Sequence, residues 1–342
     1  MPLEFEKAWS DLNVRLRGLE SSSGLTAALH ALEIQQRESG FIQDSLQQVE
    51  RYTFYHPDDP ARYFRVQYNP RRALRFTGSG HKPAHYPKCN DGCFLCRENF
   101  QWQQNGKQLG YQIETGDKAY FALMNPFPLL PGHVLIASSE HRSQDWSFRD
   151  DDGLDVAILL DDLVRLGARM PGHLGFYNGV DAGASIPGHL HYQFVMRPEG
   201  KRAFPLETAA QALSACNSGP GFAEHYPLDV AVWKGDAEDV VARACDWIAH
   251  WSERNRRRLS GLTANFITSQ EIDDGDVTLY FVPRDRAKSR AANFSGLIGG
   301  LEVLGEVVLS SPEEKTRLTD GLIDYFTLKA ALASVHTPIN AG

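Results

Sequence analysis

His189-Leu190-His191-Tyr192-Gln193 sets three polar, chemically capable side chains at every second position. In an extended strand such residues share a face, while Leu190, Tyr192 and Phe194 turn to the other and pack into a core. A histidine suits nucleophilic attack on a phosphoryl group: its ordinary pKa of about 6.5 leaves it mostly neutral at pH 7, with a free lone pair. The N–P bond it forms is labile, so a nucleotidyl group can pass to a second acceptor. Gln193 narrows the reaction. A carboxamide donates a hydrogen bond to a phosphoryl oxygen but has no proton to give, so it suits a leaving group that departs as a stable phosphate ester anion. Cleavage of a pyrophosphate linkage is the reaction these residue types favour. The plain alternative is a solvated polar strand face.

Other segments carry chemistry as well. Cys93-Phe94-Leu95-Cys96 is a C-x-x-C pair, the spacing with which two thiolates grip one tetrahedral ion. A redox pair or two buried packing thiols are the alternatives. Cys89 is a spare ligand, and Cys216 and Cys245 stand alone as expected core thiols. An odd cysteine count with one tight cluster reads as metal binding in a reducing cytosol rather than as a disulfide framework. Phe176-Tyr177-Asn178-Gly179 and Ala182-Gly183-Ala184-Ser185 precede the histidine strand. Asn125-Pro126-Phe127-Pro128 leads through a Pro-rich turn to Gly132-His133-Val134-Leu135-Ile136, where His133 reads as structural. Phe281-Val282-Pro283-Arg284 and Asn69-Pro70-Arg71-Arg72 offer Arg284 and Arg72 as guanidinium forks for phosphate. Each is equally well an ordinary surface charge.

In this context the His-x-His-x-Gln motif resembles the transferase branch of the histidine-triad superfamily. That branch includes galactose-1-phosphate uridylyltransferase, diadenosine tetraphosphate phosphorylase and the GDP-hexose phosphorylases. The resemblance implies His191 as nucleophile and Gln193 as the residue that steadies the nucleotidyl intermediate. It implies contacts to phosphate or ribose from Asn125, Asn178, Ala184 and Ser185, and it supports Arg284. It also implies a structural zinc held by Cys93, Cys96, His141 and His189. The likeness covers about 61–200 well and 262–315 loosely. Gly188 before His189, and a Ser185–His189 stretch one residue longer than in the uridylyltransferase, depart from that enzyme's pattern and put the phosphorylases ahead.

The elements that must position these residues form an α+β chain. Residues 4–19 and 24–38 show helical periodicity around a Ser/Gly-rich break. Tyr120–Met124, His133–Ala137, Leu174–Asn178 and His189–Met196 read as strands, with an amphipathic helix over 150–170. A second half begins at about 201, with a helix over 237–253, a hairpin of Thr263–Ser269 and Asp276–Val282, and a last helix from Pro312 to about Ser334, capped by Ser311; no short-period sequence repeat is visible. The expectation is histidine-triad-like antiparallel sheets with flanking helices in two related halves. The division is a 1–60 helical extension, a 61–200 catalytic half and a 201–342 second half.

The 342 residues, 42% hydrophobic and 23% charged, are enough for two compact lobes or one large domain with a sizeable core. A net charge of −8 argues against general affinity for nucleic acid or anionic membrane. Neither a secretory signal nor an apolar run long enough for a bilayer is expected, so a cytoplasmic location is. The function read from these observations is a nucleotidyltransferase or phosphorylase. It would take a nucleotide sugar or dinucleoside polyphosphate, with phosphate or a sugar phosphate as acceptor. A hydrolase and a zinc-stabilised nucleotide binder are the alternatives, and a homodimer is left open.

Overall fold

The computed structural model describes residues 2–44, 46–74, 92–102, 106–147, 154–197, 203–211, 213, 219–255, 261–270, 275–291 and 294–339. Cys89 and Cys216 lie outside the described residues.

In chain order the elements begin with α1 (Pro2–Glu38), β1 (Glu50–His56), β2 (Asp59–Tyr68), α2 (Arg97–Phe100), β3 (Gly110–Thr115), β4 (Lys118–Met124) and β5 (Val134–Ser138). Next come the two-residue strands β6 (Trp146–Ser147) and β7 (Leu154–Asp155), then α3 (Val156–Ala168), β8 (His173–Asn178), β9 (His191–Met196) and α4 (Pro205–Ala210). The second half adds β10 (Gly221–Phe222), β11 (Ala231–Gly235), α5 (Ala237–Asn255), β12 (Leu262–Gln270) and β13 (Val277–Asp285). It ends with α6 (Gly300–Val303), β14 (Glu306–Leu309), α7 (Pro312–Thr319) and α8 (Tyr325–Ala333).

Nine strands form one antiparallel sheet in the order β10-β11-β13-β12-β8-β9-β5-β4-β3. The two halves share a connectivity: β4, β5, α3, β8, β9 in the first and β10, β11, α5, β12, β13 in the second. They meet where β8 pairs with β12, from Leu174↔Ser269 to Asn178↔Asn265. On one face α3 and α5 bury Leu159, Leu163, Ile248 and Trp251 against Tyr177, Tyr192, Phe194, Phe266 and Phe281. On the other, Phe176, Val195, Ile267, Tyr280 and Val282 meet a smaller sheet, β1-β2-β14, and the C-terminal helices. The alternation expected for β9 is the one observed: Leu190, Tyr192 and Phe194 belong to the helix-side core.

Several boundaries differ from expectation. The Ser/Gly break is a kink at Gly24 (φ 84°) inside α1. The segment read as a helical extension also holds β1, which pairs with β2. In turn β2 runs parallel to β14, so a strand of the first half shares a sheet with one of the second. The expected final helix is two helices. Gly321 (φ 72°) takes the left-handed conformation after α7, and Asp324 caps α8 by accepting from Thr327 N. The Ser311 cap is present as expected, accepting from Glu314 N at 3.2 Å while Glu314 accepts from Ser311 N at 3.0 Å. Strands β3, β11 and β14 were not anticipated. The free edge of β3 is covered by α1: Asn13 donates to Gly110 O and accepts from Gln112 N.

Candidate active site and metal centre

His191 opens β9 on the face opposite the α3–α5 layer. Its ring Nδ1–H donates to the His189 carbonyl at 2.8 Å, which leaves Nε2 with the lone pair. Burial pushes its pKa down to about 4, against the opposing pull of that carbonyl, so the ring is neutral at pH 7. Its main chain is held by a residue the sequence did not flag. Gln144, fully buried, accepts from His191 N at 2.8 Å and donates to His191 O at 3.0 Å and to Asn178 O at 2.9 Å. The β8–β9 ladder ends at Phe176↔Gln193. The Gln144 carboxamide stands where the next pair, Asn178 with His191, would have bonded directly.

Gln193 is oriented by His133. The backbone N–H of Leu129 donates to His133 Nδ1 at 3.1 Å, so Nε2 carries the proton and donates to Gln193 Oε1 at 2.9 Å. Burial holds the His133 pKa down to about 3, which keeps that arrangement neutral. With its oxygen engaged, Gln193 keeps its NH2 group as a donor. His133 is therefore structural, as expected, in the specific sense that it aims Gln193.

His191, Gln193, Asn125, Asn178, Ser185 and Arg72 all line one cavity of about 380 Å³. Arg72 is itself anchored, donating to Phe127 O at 2.6 Å. Ala184 lies half-buried in the turn between Asn178 and His191. That turn needs Gly183 (φ 97°), since a Cβ there would come within 2.3 Å of the Gly299 Cα.

Arg284 is placed differently from the phosphate contact expected of it. Its side chain is fully buried behind the cavity wall. There Nη1 donates to Asn265 Oδ1 at 2.9 Å and to Ile298 O at 2.8 Å. Asn265 in turn donates to Asn178 Oδ1 at 2.8 Å and to Ala182 O, and Gly300 N donates to the same Asn178 oxygen at 2.7 Å. The guanidinium thus fixes the wall through two asparagines paired across the β8–β12 junction. Its own pKa is lowered to about 10 by burial.

Cys93, Cys96, His141 and His189 bring four ligand atoms within 4.8 Å of one another. His189 Nδ1 lies 3.4 Å from Cys93 Sγ and 3.6 Å from Cys96 Sγ, and His141 Nδ1 lies 3.2 Å from Cys96 Sγ. Such separations are the edges of a tetrahedron about an ion with bonds of roughly 2.0–2.3 Å to nitrogen and sulfur. The remaining His189 nitrogen, Nε2, sits 2.8 Å from Ser138 O and donates to it, the outer contact that frees Nδ1 as a ligand. The donor set fits zinc. His189 precedes β9 rather than forming part of it, because the strand begins at His191. Its ring therefore serves the cysteine cluster while His191 serves the cavity. Cys245 packs against the helix-side core as expected, its thiol pushed up to about 11 by burial.

Gln144 and Asn265 had no sequence signal: one lies in an irregular segment, the other inside a strand. Among the described residues no helix is long and apolar enough to cross a membrane.

A family model described as "Domain of unknown function (DUF4922)" matches residues 31–196. Protein APA1 of Saccharomyces cerevisiae is 34% identical over 83 residues, which are 24% of this chain and 26% of that relative's length. The match therefore spans about a quarter of that relative. The crystal structure of yeast Ap4A phosphorylase Apa2 in complex with AMP superposes with a TM-score of 0.61 at 17% identity, covering 92% of this chain and 96% of that one. The same enzyme in complex with Ap4A gives 0.56 at 16% identity, over 90% and 98%. The fold of this chain is that of yeast Ap4A phosphorylase Apa2, as its resemblance to the transferase branch of the histidine-triad superfamily implies.

Proposed function

We propose that this protein is a dinucleoside polyphosphate phosphorylase acting through a nucleotidyl group carried on His191. The observation that supports it most is the His191 imidazole itself: neutral, with Nδ1 engaged by a carbonyl, and lining a cavity beside the Gln193 carboxamide. The yeast enzyme of the same fold, in structures with AMP and with Ap4A, favours this substrate class over nucleotide sugars.

In the first step Nε2 attacks the α-phosphorus. The N–P bond forms as the bridging P–O bond breaks, and the leaving nucleoside polyphosphate takes the electron pair as an anion, so no general acid is needed. Gln193 donates through its NH2 group to a non-bridging oxygen, and Asn178, Ser185 and Arg72 border the same space. Asn125 borders the ribose end, and the Ala184–Ser185 backbone offers further donors. In the second step an oxygen of inorganic phosphate attacks, the N–P bond breaks, and a nucleoside diphosphate leaves. A zinc ion on Cys93, Cys96, His141 and His189 would act structurally, fixing the start of β9. Its thiolates suit a reducing, cytoplasmic compartment.

Incubation with Ap4A and phosphate should release ATP and ADP, and His191→Ala should release neither. Release of AMP at the same rate without phosphate would make water the acceptor and the protein a hydrolase.

A further inference from the structure

We infer that Gln108 reads the nucleobase and that the base it selects is adenine. The inference rests on the proposed nucleotide reading of the cavity. The β9–β5–β4–β3 register sets Gln193, Leu135, Leu123 and Gly110 in one row across the sheet. At about 4.8 Å per strand, β3 begins roughly 14 Å from Gln193. Along that row the cavity wall turns apolar, with Leu135 and Leu123 joined by Phe41, Phe94 and Leu95. A flat, largely apolar ring is the part of a nucleotide that suits such a wall, which leaves the polar His191 end for phosphate.

One carboxamide interrupts this apolar end. Gln108, only 4% exposed, lines the cavity, and its Oε1 has no hydrogen-bond partner among the described residues. Its backbone cannot readily swing away. Gln36, fully buried on α1, donates to Lys107 O at 3.2 Å and accepts from Leu109 N at 3.1 Å, clamping the chain on both sides of Gln108. A buried acceptor left unmet is costly unless a ligand supplies the donor. Adenine supplies one in its exocyclic amine, next to a ring nitrogen that can accept from the carboxamide NH2, and a glutamine reads this pair bidentately. A 6-oxo purine presents an acceptor where adenine presents the amine. The N-terminal helix thereby gains a function: it sets the base-reading residue.

The test is calorimetric binding of AMP, IMP and the 5′-monophosphate of unsubstituted purine riboside to the full chain. Wild type should favour AMP over the purine analogue by about 10- to 100-fold. Gln108→Leu should lose that preference by weakening AMP more than the purine analogue, while Gln108→Glu, which keeps the acceptor but loses the donor to the ring nitrogen, should bind both more weakly and still favour AMP. Equal losses for AMP and the purine analogue in Gln108→Leu, or an undiminished preference, would overturn the inference. Labelling of His191 is read separately. Gln108-dependent AMP binding without any nucleotidyl adduct would remove the phosphorylase reading and leave this one standing. An adduct together with base binding indifferent to Gln108 would do the reverse.

Discussion

Replacing Gln144 by methionine, which nearly conserves volume, removes three buried hydrogen bonds at once: one from His191 N and two to the carbonyls of His191 and Asn178. At about 1 kcal/mol net for each bond, the loss is roughly 3 kcal/mol, and more where a stranded backbone group finds no water. With about 2.1 cal/mol/K of unfolding entropy per residue, each kcal/mol lowers the Tm of a chain of this length by roughly 1.4 °C, so Gln144→Met should melt about 4 °C below wild type. The chemistry should suffer further, because the same carboxamide holds the main chain from which the His191 ring enters the cavity. A displacement of order 1 Å costs about 100-fold in rate when the attacking atom must meet phosphorus in line. Differential scanning calorimetry and the single-turnover rate of nucleotidyl transfer measure the two effects. A Tm within about 1 °C of wild type, together with an unchanged rate, would refute the view that Gln144 substitutes for a missing ladder pair.

The cysteine–histidine cluster should yield one zinc per chain by elemental analysis. Cys96→Ser should lose that metal and melt well below wild type, since a structural zinc site contributes directly to folding. A fully stable metal-free Cys96→Ser protein would contradict the assignment. Acid should destabilise the fold through His133, whose folded pKa is pushed down to about 3 while its unfolded value is about 6.5. A depressed histidine contributes fully above the unfolded pKa, and its contribution falls as pH drops from about 6.5 toward 3, by roughly 1.4 kcal/mol per pH unit. Tm measured from pH 7 to pH 5 should therefore fall less steeply in His133→Gln than in wild type, and parallel curves would rule the effect out.

What the sequence made legible was local. The period of two in His189–Phe194 separates the core residues from the polar ones without any knowledge of neighbours, and the spacing of Cys93-x-x-Cys96 offers two candidate metal-ligand thiols. His141 came only through resemblance, because a histidine after a strand has no distinctive local pattern. What stayed hidden depends on residues far apart in the chain. His133 meets Gln193 across 60 positions, and Asn178 meets Asn265 across 87. Arg284 sits in a segment that reads as a phosphate contact. It is buried because the chain around Ile298–Gly300 closes over it, which nothing near Arg284 foretells. The break at Gly321 and the Asp324 cap were visible signals, outweighed by the apolar periodicity on either side of them.

In the proposed mechanism His191 carries the nucleotide. Intact-protein mass spectrometry after mixing with Ap4A in phosphate-free buffer tests it most directly. A gain of one AMP unit in mass is expected, absent from His191→Ala and discharged as ADP when phosphate is added. No adduct in phosphate-free buffer although ATP and ADP form once phosphate is added, or an adduct that persists in His191→Ala, would contradict it.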